Sequence, residues 1–321
     1  MSARLPDRHG RVQYLRTMLT TATGICPTGL RSVAIGVPDV RSSARFYIDI
    51  WRLRQVAERG GSVYLRGSGT YHHILSLHPR ERVELLRIDL AAAGRGEVDA
   101  LHARVRSRGA AALEAPGAVT EPGGGYGFSF KDPEGRVLRV IAGDARHGVN
   151  PLPDHPIKVT HVVLNAPDTA RAAGFFVEAL GFRVSDRSLL TFVRCNTDHH
   201  NFAFHPGDAS TLHHIAFEMP DIDSVMRGAG RMRDAGYPIE WGIGRHGPGN
   251  NVFAYFVGPD EIVIEYTAEV GQVDDDYRVG SPGDWKYPEG RTDLWGVTPP
   301  PSVRMRAAQQ RIAFASEIVH P

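Results

Sequence analysis

One pattern of apolar and polar positions occurs twice along the chain. The segments GLRSVAIGVPDVRSSARFYIDIWRL (29–53) and KVTHVVLNAPDTARAAGFFVEALGF (158–182) each begin with a short apolar run, pass through a Pro-Asp turn and end in an amphipathic stretch. The first part predicts a strand and the last part a helix. Asp39 and Asp168 stand where each helix would begin, and a carboxylate there accepts hydrogen bonds from the free N–H groups of the first turn. Each half is therefore predicted to contain a strand followed by a capped helix.

The repetition continues downstream. At the same shift of 129 positions (167 − 38), the segment 84–89 lies opposite 213–218, and each is followed by a helical stretch, at 97–108 and at 222–235. Two later segments, FSFKDPEGRVLRVIAG (128–143) and AYFVGPDEIVIEYTAE (254–269), match after a slip of three positions and predict hairpins with a proline-containing turn. Strand, cap, helix, strand and hairpin recur in one order, which a chance similarity of short β/α units does not explain. We predict an internal duplication and an α+β fold.

Composition narrows the class of protein. The 321 residues are enough for one or two cores, and the formal net charge is +1. A balanced charge gives no electrostatic signature for nucleic acid or for an acidic membrane surface, and no apolar run approaches the roughly 20 residues that span a bilayer. Cys26 and Cys195 are far apart and form no metal-type pair. We predict a cytoplasmic protein without nucleic-acid or membrane partners.

Three residues of the second half carry the candidate chemistry. His161, His214 and Glu265 lie in the predicted strands VTHVVLN, TLHHIAFE and IVIEYT. Because side chains alternate between the two faces of a strand, His214 shares its face with Ala216 and Glu218 rather than with large apolar neighbours. Two imidazoles and one carboxylate suit non-haem Fe(II) when other coordination positions stay open. Each residue alone would be an ordinary hydrogen-bonded side chain, but the three together predict a metal site.

The first half provides an internal comparison. At the shifts given above, the counterparts of the three candidates are Ser32, Leu85 and Arg139. This set does not suit a transition metal, and a guanidinium group repels a cation. We expect a metal-free first module and a metal site in the second.

The duplicated modules resemble the vicinal oxygen chelate superfamily, in which βαβββ units pair to form half-open barrels around a metal. The segment GIGRHGPGNNVFAYFVGPDEIVIE (242–265) is similar to the signature of its type I extradiol ring-cleaving dioxygenases, with His246, Tyr255 and the closing Glu265 in place. It departs from that signature at three positions in a strand and a turn: Ala254, Gly258 and Glu261. These departures affect strand packing and turn shape.

The resemblance implies a division of the chain into four parts. Two half-open barrels of the glyoxalase, bleomycin-resistance and dioxygenase fold are expected. The parts are an N-terminal arm at 1–28, a metal-free domain at 29–150, a catalytic domain at 151–270 and a tail at 271–321. Trp285 and Trp295 make the tail a candidate lid, subunit interface or packed surface strap.

The same resemblance implies roles for the residues around the metal. His161, His214 and Glu265 would bind Fe(II), with Mn(II) as the alternative. His200 would be the acid–base residue beside the oxygen site, since an imidazole gains and loses a proton near neutral pH. The sequence leaves open whether His199 shares that role. A second His-His pair in the first half, where no metal is expected, shows that such a pair alone is weak evidence.

Substrate contacts are implied as well. Tyr255 would hydrogen-bond to a substrate oxygen and help to hold it deprotonated, and His246 would orient the substrate. Trp241 and Asn250 complete the predicted substrate site, and Trp241 favours an apolar or aryl-substituted catechol, although Arg245 and Arg291 argue mildly for a carboxylate. The resemblance implies a small aromatic diol and O₂ as substrates and a homo-oligomeric assembly.

Two other functions fit the same scaffold. A glyoxalase-like isomerase or an epimerase would take its ligands from both modules, which the first-half counterparts oppose. A metal-free ligand-binding protein would leave the three candidate ligands without a shared purpose. The main prediction is extradiol cleavage of a catechol by O₂, which gives a muconic semialdehyde-type product.

Overall fold

The fold consists of two sheets that follow one another along the chain. The computed structural model describes residues 24–149 and 152–315, so most of the arm predicted at 1–28 lies outside the described residues. The first sheet contains β1 (Gly29–Val37), β2 (Arg54–Arg59), β3 (Ser62–Arg66), β4 (Leu75–Pro79), β5 (Glu84–Ala91), β6 (Ala111–Ala112), β7 (Gly117–Ala118), β8 (Tyr126–Lys131) and β9 (Val137–Ala142). The second contains β10 (Lys158–Ala166), β11 (Arg183–Arg187), β12 (Thr191–Arg194), β13 (Phe202–Pro206), β14 (Thr211–Glu218), β15 (Trp241–Arg245), β16 (Val252–Val257), β17 (Val263–Ala268) and β18 (Ile312–Ala313).

Helices cover the sheets and connect their strands. They are α1 (Val40–Arg45), which continues as a π-helical turn (Phe46–Ile50), α2 (Arg95–Ser107), α3 (Thr169–Leu180), α4 (Ile222–Asp234) and α5 (Val303–Ala308). Both predicted caps are confirmed: Asp39 accepts a bond of 2.9 Å from the N–H of Ser42, and Asp168 one of 2.9 Å from the N–H of Arg171. Within the described residues, no helix has both the length and the apolar character needed to cross a membrane.

The two sheets share one topology, which confirms the predicted α+β fold of paired modules. Their strand orders are β2-β3-β4-β1-β5-β9-β8-β6, with β7 beside β8, and β11-β12-β13-β10-β14-β17-β16-β15, with β18 beside β14. In each sheet the module's first strand pairs with one parallel and one antiparallel neighbour. The sheets remain open at their edges, as half-open barrels do.

Strand register corrects one predicted equivalence. β10 and β14 pair Val163 with His214, and β1 and β5 pair Ala34 with Arg87. Because Ala34 and Val163 are equivalent, the counterpart of His214 is Arg87, and the prediction of Leu85 was wrong. In the first module 42 positions separate the paired residues Val33 of β1 and Leu75 of β4 (75 − 33). In the second module 40 positions separate their equivalents, Val162 of β10 and Phe202 of β13 (202 − 162). A constant shift therefore misaligns the strand that follows by two residues. The other two counterparts follow the predicted register.

The modules are joined by aromatic residues and helices that cross between them. Trp51, at the end of the π-helical turn, stacks on Tyr266 of β17 with ring centroids 3.6 Å apart and planes at 7°. The Tyr266 hydroxyl donates to the carbonyl of Trp51 at 3.2 Å. A second contact between the modules is the packing of α3 against α2. There Arg104 of α2 donates a hydrogen bond of 2.9 Å to the carbonyl of Ala179 of α3. Most buried apolar side chains of both sheets form one continuous core, to which large aromatic rings contribute.

Candidate metal centre

Five neighbouring strands of the second sheet place candidate residues in one row. Ala216 on β14 pairs with His161 on β10 at one side and with Glu265 on β17 at the other. Tyr255 on β16 pairs with Glu265, and Trp241 on β15 pairs with Tyr255. The small side chain of Ala216 leaves room for a ligand between His161 and Glu265.

Three potential ligand atoms converge above Ala216. Nε2 of His161 is 3.1 Å from Oε2 of Glu265, and Nε2 of His214, two residues before Ala216, is 3.2 Å from the same oxygen. Ligand atoms of all three residues lie within 4.8 Å of one another, and the side chains are at most 5% exposed. Metal–ligand bonds of about 2.1 Å at right angles put neighbouring ligand atoms about 3 Å apart. The spacing fits one divalent ion, and the structure brings all three predicted ligands together.

A nitrogen without a partner supports this fit. Nε2 of His214 is buried and close to Glu265, but it lacks the alignment of a hydrogen bond and has no partner among the described residues. A buried polar atom left in this state costs about 1–3 kcal/mol. Coordination of a cation by this lone pair removes that cost.

The protonation states of the site also suit a cation. Burial alone would raise the pKa of Glu265, but His161 and His214 outweigh it and hold that pKa well below its usual range. Burial lowers the pKa of His214, and Glu265 only partly opposes the shift. An ionised carboxylate beside a neutral imidazole is the form in which such side chains bind metals.

Tyr255 and His246 lie on the Glu265 side of the centre. The Tyr255 hydroxyl is 3.0 Å from Nε2 of His246, and that nitrogen is 4.0 Å from Oε1 of Glu265. Burial lowers the pKa of His246 to about 4. Burial, followed by the charge of Glu265, raises the pKa of Tyr255 well above its usual value. At neutral pH the two side chains are therefore a neutral imidazole and a protonated phenol, both suited to hydrogen-bond a substrate oxygen.

His200 lies on the opposite side, against His161. The two ring centroids are 4.2 Å apart, and Nδ1 of His200 is 3.1 Å from Nδ1 of His199. Nε2 of His199 bonds to Asp186 at 2.6 Å, so His199 supports His200 from behind. Burial, and then the neighbouring His161, lower the pKa of His200 well below 6.5. The resting imidazole is neutral, which corrects the expectation that both protonation forms are accessible near pH 7.

The loop after His246 turns Asn251 toward the centre. Asn251 is buried, and its Nδ2 donates to Thr267 at 2.8 Å and lies 3.4 Å from Oε1 of Glu265. Asn250 is exposed, and its carbonyl accepts a bond of 2.6 Å from Arg245. Adjacent asparagines in a loop give no periodic signal for which one faces inward, so the sequence did not separate them. A substrate contact for Asn250 stays a prediction.

The tail packs against the outer edge of the site. Trp241 stacks on Tyr255 with ring centroids 5.0 Å apart and donates from Nε1 to Thr292 of the tail at 2.9 Å. The guanidinium group of Arg245 lies 4.8 Å above the ring of Trp295. The tail residues around Thr292 and Trp295 therefore pack along β15, and the predicted role of the tail as a lid or an interface stays untested.

The corresponding place in the first module is filled by ion pairs. Arg87 bonds to Asp89 at 2.7 Å and Glu121 at 2.8 Å, and Arg139 bonds to both carboxylates at 2.7 Å. The guanidinium groups belong to residues equivalent to two of the three ligands in the second module. Although His73 comes close enough to Asp89 and Glu121 to form a ligand set, the arginines already supply the positive charge. This arrangement supports the prediction of a metal-free first module.

Known proteins resemble both modules. The family model of the Glyoxalase/Bleomycin resistance protein/Dioxygenase superfamily matches residues 29–140 and 158–266. The fold is similar to that of the Mn(II)-bound glyoxalase from Novosphingobium aromaticivorans, with a TM-score of 0.81 and 36% sequence identity. That alignment covers 87% of this chain and 94% of the other.

Sequence relatives include ring-cleaving enzymes. Metapyrocatechase 2 of Cupriavidus necator is 30% identical over 203 residues, which are 56% of this chain and 62% of the relative, so the match spans less than two thirds of that enzyme. The manganese-dependent 2,3-dihydroxybiphenyl 1,2-dioxygenase of Geobacillus genomosp. 3 is 24% identical over 263 residues, or 71% of this chain and 80% of the relative. Since the family model covers most of both sheets, the chain belongs to the glyoxalase/bleomycin resistance protein/dioxygenase superfamily.

Proposed function

We propose that the protein is an extradiol dioxygenase, which cleaves the ring of a catechol with O₂ to give a muconic semialdehyde-type product. The observation that carries the proposal is the convergence of His161, His214 and Glu265 within 4.8 Å in one module. His200 and Tyr255 flank this set on opposite sides. Three protein ligands on one side leave the remaining coordination positions for a diol and O₂.

The proposed metal is Fe(II) or Mn(II). Two imidazoles and one carboxylate suit both ions. Two of the similar proteins are named for manganese, one as Mn(II)-bound and one as manganese-dependent. We therefore propose a divalent metal of this pair and leave the choice to metal analysis.

The chain's own residues hold the substrate and move its protons. A divalent ion in this site would lower the pKa of a coordinated hydroxyl and bring the diol and O₂ together. Tyr255 and His246 hydrogen-bond to the substrate oxygen on the Glu265 side. His200, neutral at rest, accepts a proton on the opposite side and returns it to the product. The buried walls keep water away from these groups.

We propose that the diol has an apolar substituent. Arg245 is the cation closest in sequence to the predicted substrate residues, but it pairs with Glu269 and stacks on Trp295. Its charge is thus balanced within the chain and is not available for a substrate carboxylate. Trp241 and Phe253 present aromatic surface beside Tyr255, with the first two ring centroids 4.4 Å apart. A panel of catechols that favours a carboxylated one would contradict this choice.

The proposed activity is tested by loading the purified protein anaerobically with Fe(II) or with Mn(II). Catechol, 3-methylcatechol, 2,3-dihydroxybiphenyl and 3,4-dihydroxyphenylacetate are then added with air. We expect O₂ uptake and a yellow ring-fission product from at least one of the first three. No uptake from any catechol with either metal would end the proposal.

One observation favours a second candidate function. The solved structure at 36% identity carries the name glyoxalase. An isomerase of this kind would convert the hemithioacetal of methylglyoxal and glutathione without consuming O₂. Measuring both reactions on the same metal-loaded sample separates the two functions.

Tyr255→Phe is expected to lower kcat/KM for the catechol about 10- to 100-fold while the bound metal is retained. The substitution removes a hydroxyl that lies 3.0 Å from His246 but leaves the three ligands in place. Hydrogen bonds to charged groups contribute about 1.5–3 kcal/mol, which corresponds to this loss in rate. Steady-state O₂ uptake and metal analysis give the result. Tyr126→Phe, in the first module, serves as the matched control, and equal rates for both variants would remove Tyr255 from the mechanism.

A further inference from the structure

A line of three buried side chains runs outward from the metal centre. Nδ1 of His200 is 3.1 Å from Nδ1 of His199, and Nε2 of His199 is 2.6 Å from Oδ2 of Asp186. All three are at most 3% exposed. His200 is the only one of them whose ring contacts a predicted metal ligand among the described residues. Asp186 and His199 therefore act on the site only through His200.

The carboxylate of Asp186 is fixed in its orientation. Its Oδ1 accepts a bond of 2.8 Å from the N–H of Gly280 and one of 3.2 Å from the hydroxyl of Tyr277. Both donors belong to the tail, and β11 also bonds to it through the N–H of Arg187 and the carbonyl of Gly280 at 2.9 Å. With Oδ1 occupied, Oδ2 is the oxygen that faces His199.

This orientation sets the position of each ring proton. An ionised carboxylate only accepts hydrogen bonds, so Nε2 of His199 carries a proton and donates it to Asp186. With a single ring proton on His199, its Nδ1 is left as an acceptor. Nδ1 of His200 must then be the donor between the two rings. The remaining nitrogen of His200, Nε2, keeps its lone pair.

The first module shows the same histidine pair without the carboxylate. Nδ1 of His72 is 3.0 Å from Nδ1 of His73, which reproduces the pair in the second module. The residue equivalent to Asp186 is Ala57, since each follows the bulge between the first two strands of its hairpin. An acidic residue thus accompanies the pair in the module that carries the ligand set and is replaced by alanine in the module that does not.

We propose that Asp186 and His199 are positioning residues that hold His200 in the tautomer with a proton on Nδ1 and a lone pair on Nε2. This inference rests on the proposed function, in which His200 accepts a proton from a substrate hydroxyl. The proton goes to the free Nε2 and is returned from there to the product, while the Nδ1 proton stays in its bond to His199. The tail contributes to this positioning, because Gly280 and Tyr277 orient the carboxylate of Asp186.

Asp186→Asn tests the proposal at constant side-chain size. The N–H of Gly280 still requires an acceptor, so the amide oxygen takes the place of Oδ1 and the amide NH₂ takes that of Oδ2. The amide then donates to Nε2 of His199, His199 carries its proton on Nδ1, and His200 becomes the acceptor. The expected result is an inverted tautomer, with the proton of His200 on Nε2.

Nitrogen NMR of the full-length protein reads this tautomer directly. The protein is prepared with ¹⁵N-labelled histidine and loaded with Zn(II), a diamagnetic ion that accepts the same ligands. The His200 signal is identified by its absence in His200→Gln. We expect Nδ1 protonation in the unmodified protein and Nε2 protonation in Asp186→Asn. In the Fe(II)-loaded protein, the same variant should lose about 100-fold in kcat at unchanged KM and metal content, the size typical of general acid–base catalysis.

Controls separate the possible outcomes. His72→Gln alters the duplicate pair and should leave the His200 tautomer unchanged. If Asp186→Asn does not fold, His199→Phe removes the acceptor for Nδ1 of His200 and should abolish its preference for Nδ1 protonation. A His200 tautomer that is the same in the unmodified protein and in the variants overturns the proposal. An inverted tautomer in a protein that cleaves no catechol would uphold the positioning role and remove the proposed function instead.

Discussion

Glu265→Ala is expected to leave the purified protein without stoichiometric metal and without measurable ring cleavage. Oε2 of this side chain is the atom shared by the set, at 3.1 Å from His161 and 3.2 Å from His214. Alanine removes the only carboxylate of the three and with it the negative charge that offsets a divalent ion. Loss of a residue that merely supports a ligand costs about 10- to 100-fold in metal affinity, so loss of the ligand itself should cost more than about 100-fold.

Metal analysis and O₂ uptake on the same preparations give the result. Glu178→Gln is the matched control, because this glutamate is 60% exposed on α3 and pairs with Arg108 far from the sheet face that carries the site. The control should bind metal and turn over substrate like the unmodified protein. Stoichiometric metal in Glu265→Ala, with unchanged turnover, would show that the three residues do not form the centre.

Asp89→Ala is expected to lower the free energy of unfolding by about 3–5 kcal/mol while the metal site keeps its ligands. Asp89 is 1% exposed and bonds to both Arg87 and Arg139, so its removal leaves two buried guanidinium groups with only Glu121 between them. Breaking a buried ion pair from one side has about this cost, because the remaining charge is uncompensated. Urea unfolding of the two proteins measures the difference.

The pH dependence of that difference provides a second check. Burial alone would raise the pKa of Asp89, but Arg139 and Arg87 outweigh it and hold the folded-state pKa well below the usual value. A carboxyl whose pKa is lower in the folded state contributes its full stability above about pH 4 and loses it as the pH falls further. The difference in the free energy of unfolding between Asp89→Ala and the unmodified protein should therefore become smaller below about pH 4. Asp234→Ala, which removes an exposed partner of Arg233, should have nearly the same free energy of unfolding as the unmodified protein at every pH.

The duplicated fold was predictable because it rests on local signals that occur twice. Pro-Asp turns, capping aspartates and alternating strands depend on neighbouring residues only, and both caps form as expected. The convergence of the three candidate ligands was predictable for a related reason: His161, His214 and Glu265 each lie on a recognisable strand, and their spacing repeats a known motif. Sheet pairing then brings them together through Ala216.

Features that depend on loop length or on non-local pairing were not predictable. Leu85 was matched to His214 because a constant shift does not account for the two additional residues before β4. The counterpart of His214 in the sheet is Arg87. Asp186 was missed because it is one charged residue on an ordinary strand, and its partner His199 is brought to it only by pairing of β11, β12 and β13. Its replacement by Ala57 in the first module was the one available signal.

The stacking of Trp51 on Tyr266 bears on how the duplication can evolve. A copied half that has lost its chemistry is ordinarily free to decay or be deleted. Under the proposed function, the first module supplies an indole that packs into the interior of the module with the candidate metal site, so selection for activity would also preserve residues that never approach a substrate. Substitutions around position 51 would then lower the proposed activity, although they lie in the module without the candidate ligands.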